Sequence, residues 1–194
     1  MVGIVGSIYG DGLIDRCYNK GTVNGDSSVG GISGALFNGS KIQLQNCYNT
    51  GNVNGGLAIG GIVGLNQGEF TNCYNTGDVN ASRQLAGGVV GNNQGICSNC
   101  YNIGNISGTA RIGGIAGTLS ANKAVLSNCY SLEGKSSDIV GDIVNGTVES
   151  SSIKTEQEMK SLAPTLGAAF TEDTENINNG YPILSWQQEI RMDN

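Results

Sequence analysis

Apolar residues in this chain fall in short groups of three to five, β-branched or aromatic, cut apart by Gly and Asn. A helix needs an apolar stripe of period 3.6 sustained over several turns, with good helix formers between. Residues 1–134 offer neither, and their pieces read as short strands closed by tight turns. The pieces also recur in order. Gly30-Gly31-Ile32, Gly60-Gly61-Ile62, Gly87-Gly88-Val89 and Gly113-Gly114-Ile115 are copies of one block, with Val2-Gly3-Ile4 as a fifth. Aligned on Gly3, Gly31, Gly61, Gly88 and Gly114, the copies stand 28, 30, 27 and 26 residues apart. A second block keeps step with the first: Cys17-Tyr18-Asn19, Cys47-Tyr48-Asn49, Cys73-Tyr74-Asn75, Cys100-Tyr101-Asn102 and Cys129-Tyr130-Ser131. Asn precedes the Cys in every copy except the first, where Arg16 stands. In the first four copies a Gly follows, and a Val or Ile lies two residues beyond it.

About 27 residues accommodate roughly three short strands and their turns, which is one coil of a parallel β-helix with coils stacked ~4.8 Å apart. No coil buries its inward residues alone, so the core forms only by stacking. The expected architecture is therefore all-β: a right-handed parallel β-helix (solenoid) of about five coils over residues 1–134. The Cys, the Ile or Val after Gly-Gly, and the later Val or Ile should point inward. Asn and Gly should sit at corners, because both tolerate left-handed backbone, and stacked Asn side chains can hydrogen-bond along the axis. Segments 35–45, 54–58 and 92–97 vary in length and should bulge as loops.

Composition divides the chain near residues 131–150. Of 32 Gly, four lie after residue 134. Residues 1–134 balance six basic against six acidic groups, so the net charge of −6 belongs to residues 135–194. A neutral body with an acidic tail has no electrostatic footprint for nucleic acid. No run approaches the ~18 apolar residues of a membrane span. In the tail, Thr155-Glu156-Gln157-Glu158 reads as a capping box, followed by Met159, Leu162 and Leu166 at helical spacing. Pro164 should split this into two short turns and Gly167 should end the second. Pro182–Trp186 reads as a last strand. Residues 135–194 are expected to be a small helical and strand C-terminal cap, which closes the solenoid against edge-to-edge pairing. The chain starts inside a repeat without a signal peptide, which reads as a fragment of a longer protein with flanking domains and Met1 as an added start.

Copy three, from Gly60 through Leu65-Asn66-Gln67-Gly68 to Asn72-Cys73-Tyr74-Asn75-Thr76-Gly77-Asp78-Val79, resembles the repeat of the GLUG family. The resemblance extends over roughly residues 2–134. The closing stretch Asn179–Gln187 is similar to the segment that often ends such arrays. The resemblance implies a secreted or wall-attached bacterial surface protein, with relatives among adhesins and non-catalytic segments of immunoglobulin A proteases. It supplies no catalytic residue.

The chemistry left to consider is narrow. His is absent, which removes His acid–base catalysis and His metal sites. The ladder Cys17, Cys47, Cys73, Cys100 and Cys129 reads as reduced thiols in a narrow core, with Cys97, aligned with Phe70, as an extra core residue. Thiols stacked in a line cannot surround a metal, so no metal and no cofactor is expected. A disulfide framework is the other reading of six cysteines in an exported protein. The ladder Tyr18, Tyr48, Tyr74, Tyr101 and Tyr130 follows inward cysteines and should turn outward. It is either a stacked aromatic stripe covering one face or a surface for a glycan or protein of a host or neighbouring cell. The acidic residues of the body occupy no repeated position, and no enzyme activity is expected. The reading is a monomeric, extracellular, non-catalytic stalk or adhesive module. The alternative is a polysaccharide-processing β-helix, or an accessory carbohydrate-binding module, with active residues elsewhere.

Overall fold

The structure, a computed structural model, describes residues 3–37 and 42–192. Met1, Val2 and residues 38–41 of the variable segment 35–45 lie outside the described residues. The chain winds as a β-solenoid of five coils. One side of each coil is given by Val5–Ile8, Ser33–Leu36, Val63–Asn66, Val90–Asn93 and the start of Ala116–Leu132, stacked in parallel. The next side stacks Gly12–Asp15, Ile42–Gln45, Glu69–Thr71 and Ile96–Asn102, and then the middle of Ala116–Leu132. The remaining side is a separate 6-stranded sheet built on Val53–Gly60 and Val79–Gly87.

The register places repeated residues on top of one another. Ile32, Ile62, Val89 and Ile115 are fully buried with Cys47, Cys73, Cys100 and Cys129 in the main core. Cys17 is only half-buried, because nothing among the described residues stacks on the outer edge of the first coil. The inward Val of the later block does not join this core. Val23, Val53 and Val79 pack with Val29, Ile59 and Ala86 in a second cluster.

The corners show where Asn and Gly are needed. The residue before each Cys is left-handed in every coil, with φ of 52°, 53°, 54°, 50° and 53° at Arg16, Asn46, Asn72, Asn99 and Asn128. Asn adopts this conformation at least cost among residues with a side chain, so its choice at four of five corners follows. The Gly-Gly pairs have a different cause. None of their glycines is left-handed. A Cβ on Gly31, Gly61 or Gly88 would run into the carbonyl oxygen of the matching glycine in the next coil. The pair lets adjacent coils approach, and the turn itself does not require it. A further left-handed corner at Ser28, Ala58, Leu85 and Arg111 carries no sequence signature. Stacking between neighbouring coils holds Ala58 and Leu85 where their own preference would not.

Asn side chains form three columns along the axis. In one, Asn19 donates to Asn49, Asn49 to Asn75 and Asn75 to Asn102, at 2.7–2.8 Å. In another the order reverses: Asn128 donates to Asn99, Asn99 to Asn72, Asn72 to Asn46, and Asn46 to the Asp15 carboxylate. A third, more exposed column runs from Asn80 to Asn54 to Asn24. The segments 54–58 and 92–97 lie largely in strands, so length differences are absorbed as register shifts, as between Ala81 and Gln84, more than as loops.

The tail divides in two. Ile143–Glu149 and Ser152–Lys154 pair in parallel with Ala116–Leu132 and add a partial sixth turn. From Thr155 the chain leaves the stack. Helix α1 (Glu156–Lys160) opens on the expected capping box of Thr155 and Glu158. Helix α2 (Ala163–Leu166) begins with Pro164 in its first turn and ends at left-handed Gly167. Phe170–Thr171 and Ile183–Leu184 form the antiparallel pair of the fold. The last strand stops there: Ser185–Met192 is helix α3, so Trp186 is helical. This second half runs back along the side of the coils. The expected end cap is therefore the sixth turn, and residues 155–192 are a lateral clasp.

Candidate functional site

Each Tyr follows an inward Cys, and strand alternation turns it to the outside of the coil. The five tyrosines stand in one column. Tyr18, Tyr48, Tyr74 and Tyr101 are stacked at ring separations of 5.2, 5.0 and 5.0 Å, within 10° of parallel. The column was a candidate for an exposed ligand-facing stripe, and the clasp occupies that face. Tyr48, Tyr74, Tyr101 and Tyr130 are buried against Met159, Leu162, Leu166, Phe170, Leu184 and Trp186. Tyr18, at 48 % exposure, is the tyrosine of the column that remains open.

The contact is specific as well as apolar. The Tyr74 hydroxyl donates to Gln187 Oε1 at 3.0 Å, and that oxygen also accepts the Leu184 amide. The Tyr101 hydroxyl donates to the Pro182 carbonyl and accepts from Asn178 Nδ2. Trp186 stands over Tyr48 at 5.8 Å, and its indole N–H donates to the Asn46 carbonyl at 2.9 Å. Asp173 shapes the approach by accepting the amides of Ile177, Asn178 and Gly180. Burial holds the Tyr74 hydroxyl far above the usual phenol range, and for Tyr101 the neighbouring Tyr74 adds to that effect. Sequence reasoning singled out the tyrosines but missed Asn178, Trp186 and Gln187 as their partners. The available signal was the apolar run Tyr181–Trp186 in an otherwise polar, acidic tail.

The second cluster of reactive groups lies inside. All six cysteines are free, and all but Cys17 are buried. Each ladder thiol donates to the carbonyl two residues before it, for example Cys73 to Thr71 at 3.2 Å and Cys100 to Ser98 at 3.0 Å. Burial is the leading cause raising the Cys73, Cys97 and Cys100 thiols well above their ordinary value. At Cys129 burial acts the same way but is opposed by hydrogen bonds from Cys100 and Cys97, which pull its thiol down. The straight line of thiols expected from the repeat fails at one place. Cys97 replaces Phe70 in its own ladder and brings its sulfur to 3.7 Å from Cys129. With Cys100 the three sulfurs all lie within 4.8 Å of one another.

Comparison with known proteins adds to this geometry. Residues 55–80 match the model of the GLUG motif. Among solved structures the chain is similar to a putative immunoglobulin A1 protease from Bacteroides ovatus, at 20 % identity and a TM-score of 0.60, over 95 % of this chain and 74 % of that one. At that identity the likeness establishes the fold. No curated protein matches the sequence. The matched segment is one coil of five, and the other four carry the same two blocks and stack on it in register. The chain is thus a parallel β-helix that carries a GLUG motif at residues 55–80.

Proposed function

We propose that this chain is a non-catalytic structural stalk or adhesive module of a bacterial cell-surface or secreted protein. The observation that carries the reading is the use of the polar side chains. The Asn columns and the Gln67–Gln94 pair commit their amides to neighbouring coils. Groups that elsewhere would line a reaction site here hold the stack together. Such a stack has a lateral surface that repeats at the strand spacing, suited to separating other domains or presenting a regular face. With the tyrosine ladder covered from Tyr48 onward, the reading moves contact with a host or neighbouring-cell glycan or protein to the groove between Gln43, Gln45, Glu69, Thr71 and Ser98 on that surface. The similar Bacteroides ovatus protein is described as a putative immunoglobulin A1 protease, which makes immunoglobulin A1 the first substrate to test. The test incubates the purified chain with immunoglobulin A1 and with a panel of acidic polysaccharides. No turnover is expected, and cleavage of either substrate overturns the reading. Fractionation of the source cells should recover the protein at the surface or outside, and recovery in the cytoplasm overturns the location.

A further inference from the structure

We propose that Cys97, Cys100 and Cys129 form a closed three-thiolate site for a soft d10 cation that accepts trigonal sulfur coordination, such as Cu(I) or Cd(II). The Cys ladder alone cannot do this. One thiol per coil gives sulfurs spaced along a line at about the strand separation of ~4.8 Å, and an ion on that line reaches two of them. Cys97 changes the arrangement because it stands in a different ladder, between Phe70 below and Leu126 above. It adds a third sulfur beside the line, 3.7 Å from Cys129 Sγ, and the three are mutually within 4.8 Å.

Coordination chemistry sets what these separations must be. A cation bonded at ~2.3 Å to three sulfurs in a plane needs them about 4.0 Å apart, and about 3.8 Å apart if the ion sits above the plane as in a tetrahedron. The widest triangle the observed separations allow has its centre roughly 2.6 Å from each sulfur, so closure onto a metal takes a few tenths of an ångström. All three side chains are fully buried, so water does not compete for the ion. Thiolates are soft ligands that select such metals over Mg(II) or Ca(II). Binding releases three S–H protons to solvent and leaves the three thiolates and their ion with a net charge of −1 for Cd(II) or −2 for Cu(I). The Ser98 carbonyl that loses its Cys100 thiol donor still accepts the Asn72 amide, so no backbone group is orphaned there. Because the site is sealed, the ion must enter as the coils form.

The test refolds the reduced 194-residue chain with one equivalent of Cd(II), removes unbound metal, and measures cadmium content and thiolate-to-metal charge-transfer absorption. One ion per chain is expected, with the absorption of three thiolates, a higher melting temperature than the metal-free protein, and no retention of Mg(II). Cys97→Leu restores the residue type found at this ladder position in Leu44 and Leu126, so it should fold, yet retain less than a tenth of the cadmium and show no rise in melting temperature. Cys17→Ala, at the far end of the ladder, should bind as the parent does. The proposal is overturned if the refolded parent retains no cadmium, if Cys97→Leu retains as much as the parent, or if Cys17→Ala loses it. Should Cys97→Leu fail to fold, Cys100→Ala and Cys129→Ala take its place, and full retention by either overturns the proposal equally.

Discussion

Cys47 and Tyr48 are neighbours in sequence, and the columns they belong to are sealed in opposite ways. The inner column needs nothing beyond the coils: from Cys47 onward each sulfur is enclosed by residues of its own turn and of the turns above and below. The outer column is built with the same regularity, but its far side faces away from the solenoid. It is covered by residues 155–192, reached only after the whole stack has been laid down. A repeat closes its interior by itself, whereas its exterior aromatic stripe depends on a segment that does not repeat. That difference sets how each column should respond to change.

The largest effect should come from removing the clasp. Deletion of residues 155–194 uncovers Tyr48, Tyr74 and Tyr101 together, a contiguous apolar stripe of the kind that drives association. The truncated chain should keep its far-ultraviolet β signal but lose soluble monomer in sedimentation. A monomer with an unchanged melting temperature would show that the clasp does not protect the column.

Alkali should separate the columns next. A hydroxyl whose pKa is raised in the folded state stabilises the fold below its unfolded value, about 10 for Tyr, and that contribution disappears as the pH climbs toward the folded value. Tyr74 and Tyr101 are both raised by burial. Stability should therefore fall above about pH 10, with the clasp leaving first, seen as phenolate absorbance rising together with Trp186 fluorescence change. Phenolate formation throughout the column at constant Trp186 fluorescence would count against this order.

A single hydroxyl is a smaller lever. Tyr101→Phe removes the donor to the Pro182 carbonyl and the acceptor of Asn178, and should cost about 1–2 kcal/mol in denaturant unfolding. Tyr18→Phe, at the open end, should cost much less. Equal losses would mean that the clasp adds nothing to the bonds beneath it.

The least effect is expected inside. Cys73→Ser places a hydroxyl where the thiol already donates to the Thr71 carbonyl, so the buried group keeps a partner and the cost should stay below about 1 kcal/mol. Free-thiol titration of the unfolded parent without reductant should count six, in keeping with free cysteines throughout. A count near zero would replace the thiol column with a disulfide framework.

The parts of this fold legible in the sequence are those that stacking repeats. Cys, Ile and Asn recur because each coil imposes the same demand at the same place, and Asn72 reports a left-handed corner directly. The Gly-Gly pairs were equally visible, but their reason was not: a glycine needed for close approach looks the same in sequence as one needed for a turn. Leu85 and Ala58 occupy left-handed corners without any local signal, because stacking imposes their conformation. The clasp was hidden for a related reason. The capping box of Thr155 and the apolar run to Trp186 specify elements, yet nothing local says that those elements lie along the side of coils 37 to 140 residues earlier. Cys97 was visible as an extra thiol, and its meaning came only from the register that sets it beside Cys129.

The Asn columns have an electrical consequence. An amide that donates along the axis in one coil and accepts from the next carries its dipole in a fixed sense, so each column is a string of aligned dipoles. The string from Asn19 to Asn102 and the string from Asn128 to Asn46 point in opposite senses, so their fields oppose along the rod, and the exposed string from Asn80 to Asn24 adds to the second. The second terminates on the Asp15 carboxylate, an anion placed to receive the last donor, and this fixes its polarity. Asn72→Leu would cut that string into two halves, one directed by Asp15 and the other by Asn128, whose amide also donates to the Thr165 carbonyl and whose oxygen accepts the Tyr130 hydroxyl.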